Sequence, residues 1–117
     1  MKIIWNGKEY PVITEDSGTL RDLERILPEH LKMKRNGSTE FVGKLPERPV
    51  NDGRKISHIR TNEVYYYEGW NVFCLNYNEG DISPYEITYI GKIEEPALSE
   101  ELRRAEDNIE EIGRAHV

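Results

Sequence analysis

The side chains best suited to chemistry lie close together in the middle of the chain. Residues 63–77, EVYYYEGWNVFCLNY, gather Tyr65, Tyr66, Tyr67 and Tyr77 with Trp70, Phe73 and the sole cysteine, Cys74. Just upstream, RKISHIR supplies Arg54, Lys55, His58 and Arg60. Aromatics beside a glycine turn make a groove for a peptide or small ligand, because such sites combine apolar walls with a few polar groups. The ligand contacts expected on this ground are Tyr66, Trp70 and Phe73, with Arg60 as the charged donor. Three consecutive strand tyrosines point to alternating faces, so Tyr66 opposes Tyr65 and Tyr67 and all three cannot line one pocket. Packing into the wall of the fold is the larger expectation for each of them, with hydroxyls reaching toward solvent.

Other chemistries lack their parts. A nucleophilic Cys74 needs a base and an electropositive setting, and no histidine stands near it in sequence. Between Phe73 and Leu75 it reads as a small buried side chain. His30, His58 and His116 are scattered without ligand spacing and no cysteines are paired, so no metal is expected. Glu79-Gly80-Asp81 is a turn too short for a calcium loop. There is no Gly-x-Ser-x-Gly elbow and no glycine-rich phosphate loop, and no cofactor is expected.

Composition narrows the partners. A net charge of −6 argues against nucleic acid or an anionic membrane as the main partner. No stretch approaches the roughly 20 apolar residues of a membrane span, and the opening MKIIWNGKEY turns polar too early for a secretory signal. With one cysteine no internal disulfide can form, which suits a reducing, cytoplasmic setting. At 117 residues, without repeats or linkers, the chain suits one domain over residues 1–117.

Strand-like elements must position these groups. KIIW (2–5), the Asn6-Gly7 turn and KEYPVIT (8–14) read as a hairpin, with Pro11 marking an edge or bulge. TLRDLERIL (19–27) changes to a helical period through Leu20, Leu23, Ile26 and Leu27; Thr19 and Asp22 resemble a capping box and Pro28 ends the helix. HLKMKRN alternates, with Leu31 and Met33 opposite Lys32 and Lys34, and Asn36-Gly37 turns into TEFVGKL. PERPVNDG (46–53) reads as a loop and KISHI as a short strand. In NVFCLNY, Phe73, Leu75 and Tyr77 share one face and Val72 and Cys74 the other, the mark of a strand covered on both sides. YEITYIGKI places Ile87, Tyr89 and Ile93 on one side, with Gly91 marking a close backbone approach or a bend. At the C-terminus, Leu98, Leu102, Ala105, Ile109 and Ile112 fit one long helical stripe. Alternatively the helix stops near Ala105 or Glu106 and IEEI forms a last strand.

The order of these pieces resembles the small microbial cyclophilin-like proteins. The resemblance spans almost the whole chain and rests on NGKEYPV, ILP at 26–28, LKMK, VYYYEGWNVFCLNY and YIGKI at 89–93. It implies a mainly β fold: a closed antiparallel β-barrel of about eight strands with two short covering helices. It also favours a C-terminal strand pairing beside the first strand. Catalytic cyclophilins carry a Phe-His-Arg element and a Phe-Met-x-Gln-Gly-Gly-Asp-like strand, and neither occurs here. His58 and Arg60 stand in the wrong order, without the aromatic partners, so the resemblance transfers fold and no catalytic residue.

Prolyl isomerisation requires little more than an apolar pocket and a donor aimed at the prolyl amide nitrogen. Arg48, Arg54 or Arg60 is a conceivable donor, and a divergent peptidyl-prolyl isomerase is therefore the alternative function. A subunit without a ligand of its own is a third. The reading preferred is a barrel that binds a peptide or small molecule without efficient catalysis.

Overall fold

The computed structural model describes the backbone of residues 1–113 and side chains through residue 109; His116 lies outside the described residues. Along the chain run β1 (Lys2–Trp5), β2 (Lys8–Thr14), α1 (Gly18–Ile26), β3 (His30–Asn36), β4 (Glu40–Lys44), β5 (Lys55–Ile56) and β6 (His58–Ile59). Then follow β7 (Glu63–Tyr67), β8 (Val72–Asn76), β9 (Gly80–Asp81), β10 (Ile87–Ile93), α2 (Ala97–Arg104) and β11 (Asn108–Gly113). The first hairpin turns where the Asn-Gly pair predicts, with positive φ at both Asn6 (52°) and Gly7 (77°).

Eight of the strands pair antiparallel in the order β2-β1-β11-β3-β4-β8-β7-β10, and two-residue β5 lies along the outer edge of β10. The sheet curves into a half-barrel. Strand twist supplies curvature, and register shifts at Tyr89/Gly91 in β10 and Ile109/Ile112 in β11 add to it. The expected closed barrel is too strong a description, because the ends of the order meet only along a short seam. Gly91, Lys92 and Ile93 pair with Thr14, Ile13 and Val12, while Ile87 and Thr88 on the same edge pair with β5 instead. Gly91 is required at this seam: a Cβ there would stand 2.5 Å from the Ile13 carbonyl oxygen. Pro11 falls just before the seam, where its missing N–H costs no ladder bond.

Two apolar clusters lie on opposite faces of the sheet. The inner one joins Tyr10, Phe41, Tyr66, Phe73, Leu75 and Tyr77 to Leu20, Leu23 and Ile26 of α1 and Leu98 and Leu102 of α2. The outer one contains Ile59, Tyr65, Val72, Cys74 and Ile87, with Tyr67, Ile82 and Tyr89 packed against it. Every residue of β8 is buried, as its apolar run on both faces predicts. The tyrosine triplet divides by period two, Tyr66 inward and Tyr65 and Tyr67 outward.

Two local expectations are corrected, and one alternative is decided. The N-cap of α1 is Ser17, whose hydroxyl accepts from the Leu20 amide at 3.0 Å. Thr19 and Asp22 serve the 46–53 loop: Thr19 Oγ1 accepts from the Asp52 and Gly53 amides, and Asp22 accepts from that of Val50. The register shift in β10 sends Ile87 and Tyr89 outward but Ile90 and Ile93 inward, so Ile93 does not share a face with the first two. At the C-terminus the strand implied by the family resemblance prevails over the long helix. α2 stops at Arg104, and β11 fits between β1 and β3.

Candidate ligand-binding groove

The outer face of β7 and β8 is roofed by the two segments that follow β4 and β8. These segments meet in a small ladder, His58 opposite Asp81 and Ile59 opposite Gly80. Between this roof and the β7–β8 turn lies a groove of about 510 Å³. Ile59, Ile82 and Ile87 give it an apolar lining, Tyr67, Trp70 and Tyr85 an aromatic one, and Asn36 and Glu40 add polar groups. A pocket of this size, with apolar walls and few polar groups, is within the range of small-ligand sites.

The aromatic part depends on the turn at Glu68–Asn71. Trp70 stays 53% exposed and Tyr85 65%. Tyr67 and Trp70 meet edge to face, ring centres 5.4 Å apart at 84°. Gly69 permits this, because a Cβ there would lie 2.9 Å from the Tyr67 ring. Asn71 adopts φ 53° and anchors the turn from below. Its Oδ1 accepts from the Tyr66 hydroxyl at 2.8 Å and its Nδ2 donates to the Glu47 carbonyl at 3.1 Å. Sequence reading missed Asn71; its signal was an asparagine after Gly-Trp, a residue type tolerant of left-handed backbone.

The polar part comes from the β3–β4 turn. Asn36 Nδ2 donates to Glu40 Oε2 at 2.8 Å. Burial raises the Glu40 carboxyl above the ordinary carboxylate range; hydrogen bonds from Asn36 and Cys74 pull it down less strongly. The Cys74 thiol, buried beside it, is itself pushed well up, chiefly by loss of solvent, and is inert rather than nucleophilic.

Of the four ligand contacts expected from sequence, the groove takes in Trp70 alone. Tyr66 and Phe73, each 1% exposed, point to the inner cluster. Tyr66 therefore supports the groove through Asn71 rather than lining it. The Arg60 side chain is 60% exposed and reaches Glu79 at 3.9 Å, away from the lining, while its amide donates to the Tyr65 hydroxyl at 2.8 Å. The other arginines considered as donors are also engaged elsewhere: Arg48 donates to the Glu68 carbonyl, and Arg54 pairs with Glu15 at 3.1 Å and lies over the Tyr89 ring. Tyr67, Tyr85 and Glu40 take their places.

Among the described residues no group of three or more His, Cys, Asp or Glu could hold a metal ion, and no helix is long and apolar enough to cross a membrane.

A curved antiparallel sheet with two helices packed on its inner cluster defines a cyclophilin-like class of fold. The sequence model of the cyclophilin-like family matches residues 3–111, and the chain belongs to that family. No curated protein and no solved structure matches it.

Proposed function

We propose that this protein binds a peptide or small molecule in the outer-face groove, with Trp70, Tyr67 and Tyr85 as its aromatic contacts, and does not isomerise prolyl bonds efficiently. The observation carrying this reading is Trp70, held half in solvent over a 510 Å³ groove by a turn that Asn71 pins from beneath. Exposed aromatic side chains gathered around one apolar opening, rather than scattered singly, favour a binding surface. The lining contains no arginine, whereas polarising a prolyl amide needs a donor aimed into the site. A single buried cysteine and a net charge of −6 suit a cytoplasmic protein whose partner is not nucleic acid.

Backbone amide chemical-shift mapping against proline peptides and small metabolites tests the reading. Binding should shift residues 67–71 and 82–87, and Trp70→Ala should weaken it at least five-fold. A protease-coupled proline-peptide assay tests the other half: turnover that disappears in Arg60→Ala would establish the divergent isomerase instead.

A further inference from the structure

The groove has one ionisable carboxyl, Glu40, and no cationic side chain among its lining residues. Glu40 belongs to β4 and stands opposite Asn76, at the far end of β8; Tyr67 stands opposite Val72, at the near end, where the turn carries Trp70. Four residues of strand at about 3.3 Å each separate the two ends by roughly 13 Å. The carboxyl and the aromatic rim are thus set apart along the strands, at a spacing that about four residues of extended chain can span.

Glu40 has little to neutralise it. Among the described residues Glu40 forms no ion pair, and its hydrogen-bond donors, the Asn36 amide and the Cys74 thiol, are both uncharged. A half-buried carboxyl without a cation is costly to ionise, and the upward displacement of its proton affinity expresses that cost. A ligand that brings a positive charge to this end supplies the missing partner. The overall charge of −6 favours the approach of such a ligand.

We propose that the groove selects extended peptide segments in which a basic side chain reaches Glu40 while an apolar residue four positions away, on the same face of the extended chain, covers Trp70 and Tyr67. This rests on the reading of the groove as a ligand site and adds the chemistry of the ligand. The aromatic end takes the apolar side chain by area and edge contacts, which tolerate many shapes. The carboxyl end discriminates, since a charge-assisted hydrogen bond in a partly desolvated site is stronger than its neutral counterpart.

The test uses four capped peptides: Ac-Phe-Ala-Ala-Ala-Lys-NH2, its reversed sequence, and both with norleucine in place of lysine. Each is titrated into the protein and into Glu40→Gln, with dissociation constants taken from amide shifts. The better lysine peptide should bind the wild type on the order of ten-fold tighter than its norleucine counterpart, the scale of a hydrogen bond to a charged group. In Glu40→Gln that preference should vanish while norleucine binding stays within about two-fold. Equal binding of lysine and norleucine peptides, or a preference that survives Glu40→Gln, overturns the inference and leaves the groove standing as a ligand site. Failure of all four peptides, together with no hit in the broader mapping, overturns both. Shifts at the groove that depend on protein concentration alone would assign it to a second copy of the chain and equally overturn the proposal.

Discussion

Arg35 on β3 donates from Nη1 to the Tyr77 hydroxyl at 2.6 Å while its guanidinium carbon lies 4.7 Å from the centre of the Phe41 ring. The same side chain reaches the end of α2, where Nη2 donates to the Leu102 carbonyl at 3.1 Å and the Ala105 carbonyl at 2.6 Å. Nε donates to Asp107 at 2.9 Å. One guanidinium thus stacks on the sheet, adds donors to the carbonyls at the end of the helix, and marks where β11 begins.

Replacing Arg35 should therefore destabilise the fold more than its place at a strand end suggests. Arg35→Ala is expected to cost about 1–3 kcal/mol, the scale of losing hydrogen bonds to a charged group. Arg35→Lys should recover less than half, because an ammonium cannot make the planar, forked contact. Urea denaturation measures the loss. Hydrogen exchange should show it first in amides 101–105; uniform loss of protection would contradict the clamp.

The seam between β2 and β10 gives a second expectation. Gly91→Ala places a methyl against the Ile13 carbonyl oxygen and Val12 Cγ1. Overpacking of this kind costs about 1–3 kcal/mol. Faster exchange at Ile13 and at Glu15, whose amide donates to the Ile90 carbonyl at 3.0 Å, with β3 and β4 unaffected, would locate the damage at the seam, and an unchanged denaturation midpoint would show that the seam adapts.

Glu40 makes stability depend on pH in a direction opposite to that of most carboxylates. Burial raises its folded-state pKa above the unfolded value, so the folded protein holds this proton more tightly. The contribution is complete below the ordinary carboxyl range and is lost as pH rises through the raised value. Glu40→Gln keeps the shape and cannot ionise. It should match the wild type in stability below about pH 4 and exceed it at pH 7. Urea midpoints of both proteins across that range decide it; a difference independent of pH would mean that something other than the charge separates them.

How far the sequence foretold this molecule varies by element. Turn chemistry and period-two alternation are local, and they correctly placed the Asn6-Gly7 hairpin, the double burial of β8 and the opposed tyrosines. Thr19 misled because a Ser/Thr-x-x-acid spacing looks the same whether it caps its own helix or holds a loop thirty-three residues away, as Thr19 and Asp52 do. The C-terminal stripe misled because Leu98, Leu102 and Ala105 carry a helical period across a boundary set by Arg35, far off in sequence. The aromatic stretch contributes Tyr67 and Trp70 to the groove lining, whereas Tyr66 and Phe73 lie on the face that the inner cluster claims. Glu40 left no mark: TEFVGKL reads as an ordinary strand, and only the roof formed by the segments after β4 and β8 makes its carboxyl part of a site.

The position of β11 bears on how the chain is made. Residues 108–113 are translated after all the other strands, yet they sit in the interior of the sheet order, with β1 on one side and β3 on the other. Without that strand, β1 and β3 would each present a bare edge able to recruit a foreign strand. Any hold on that segment by a chaperone would leave the slot between them open.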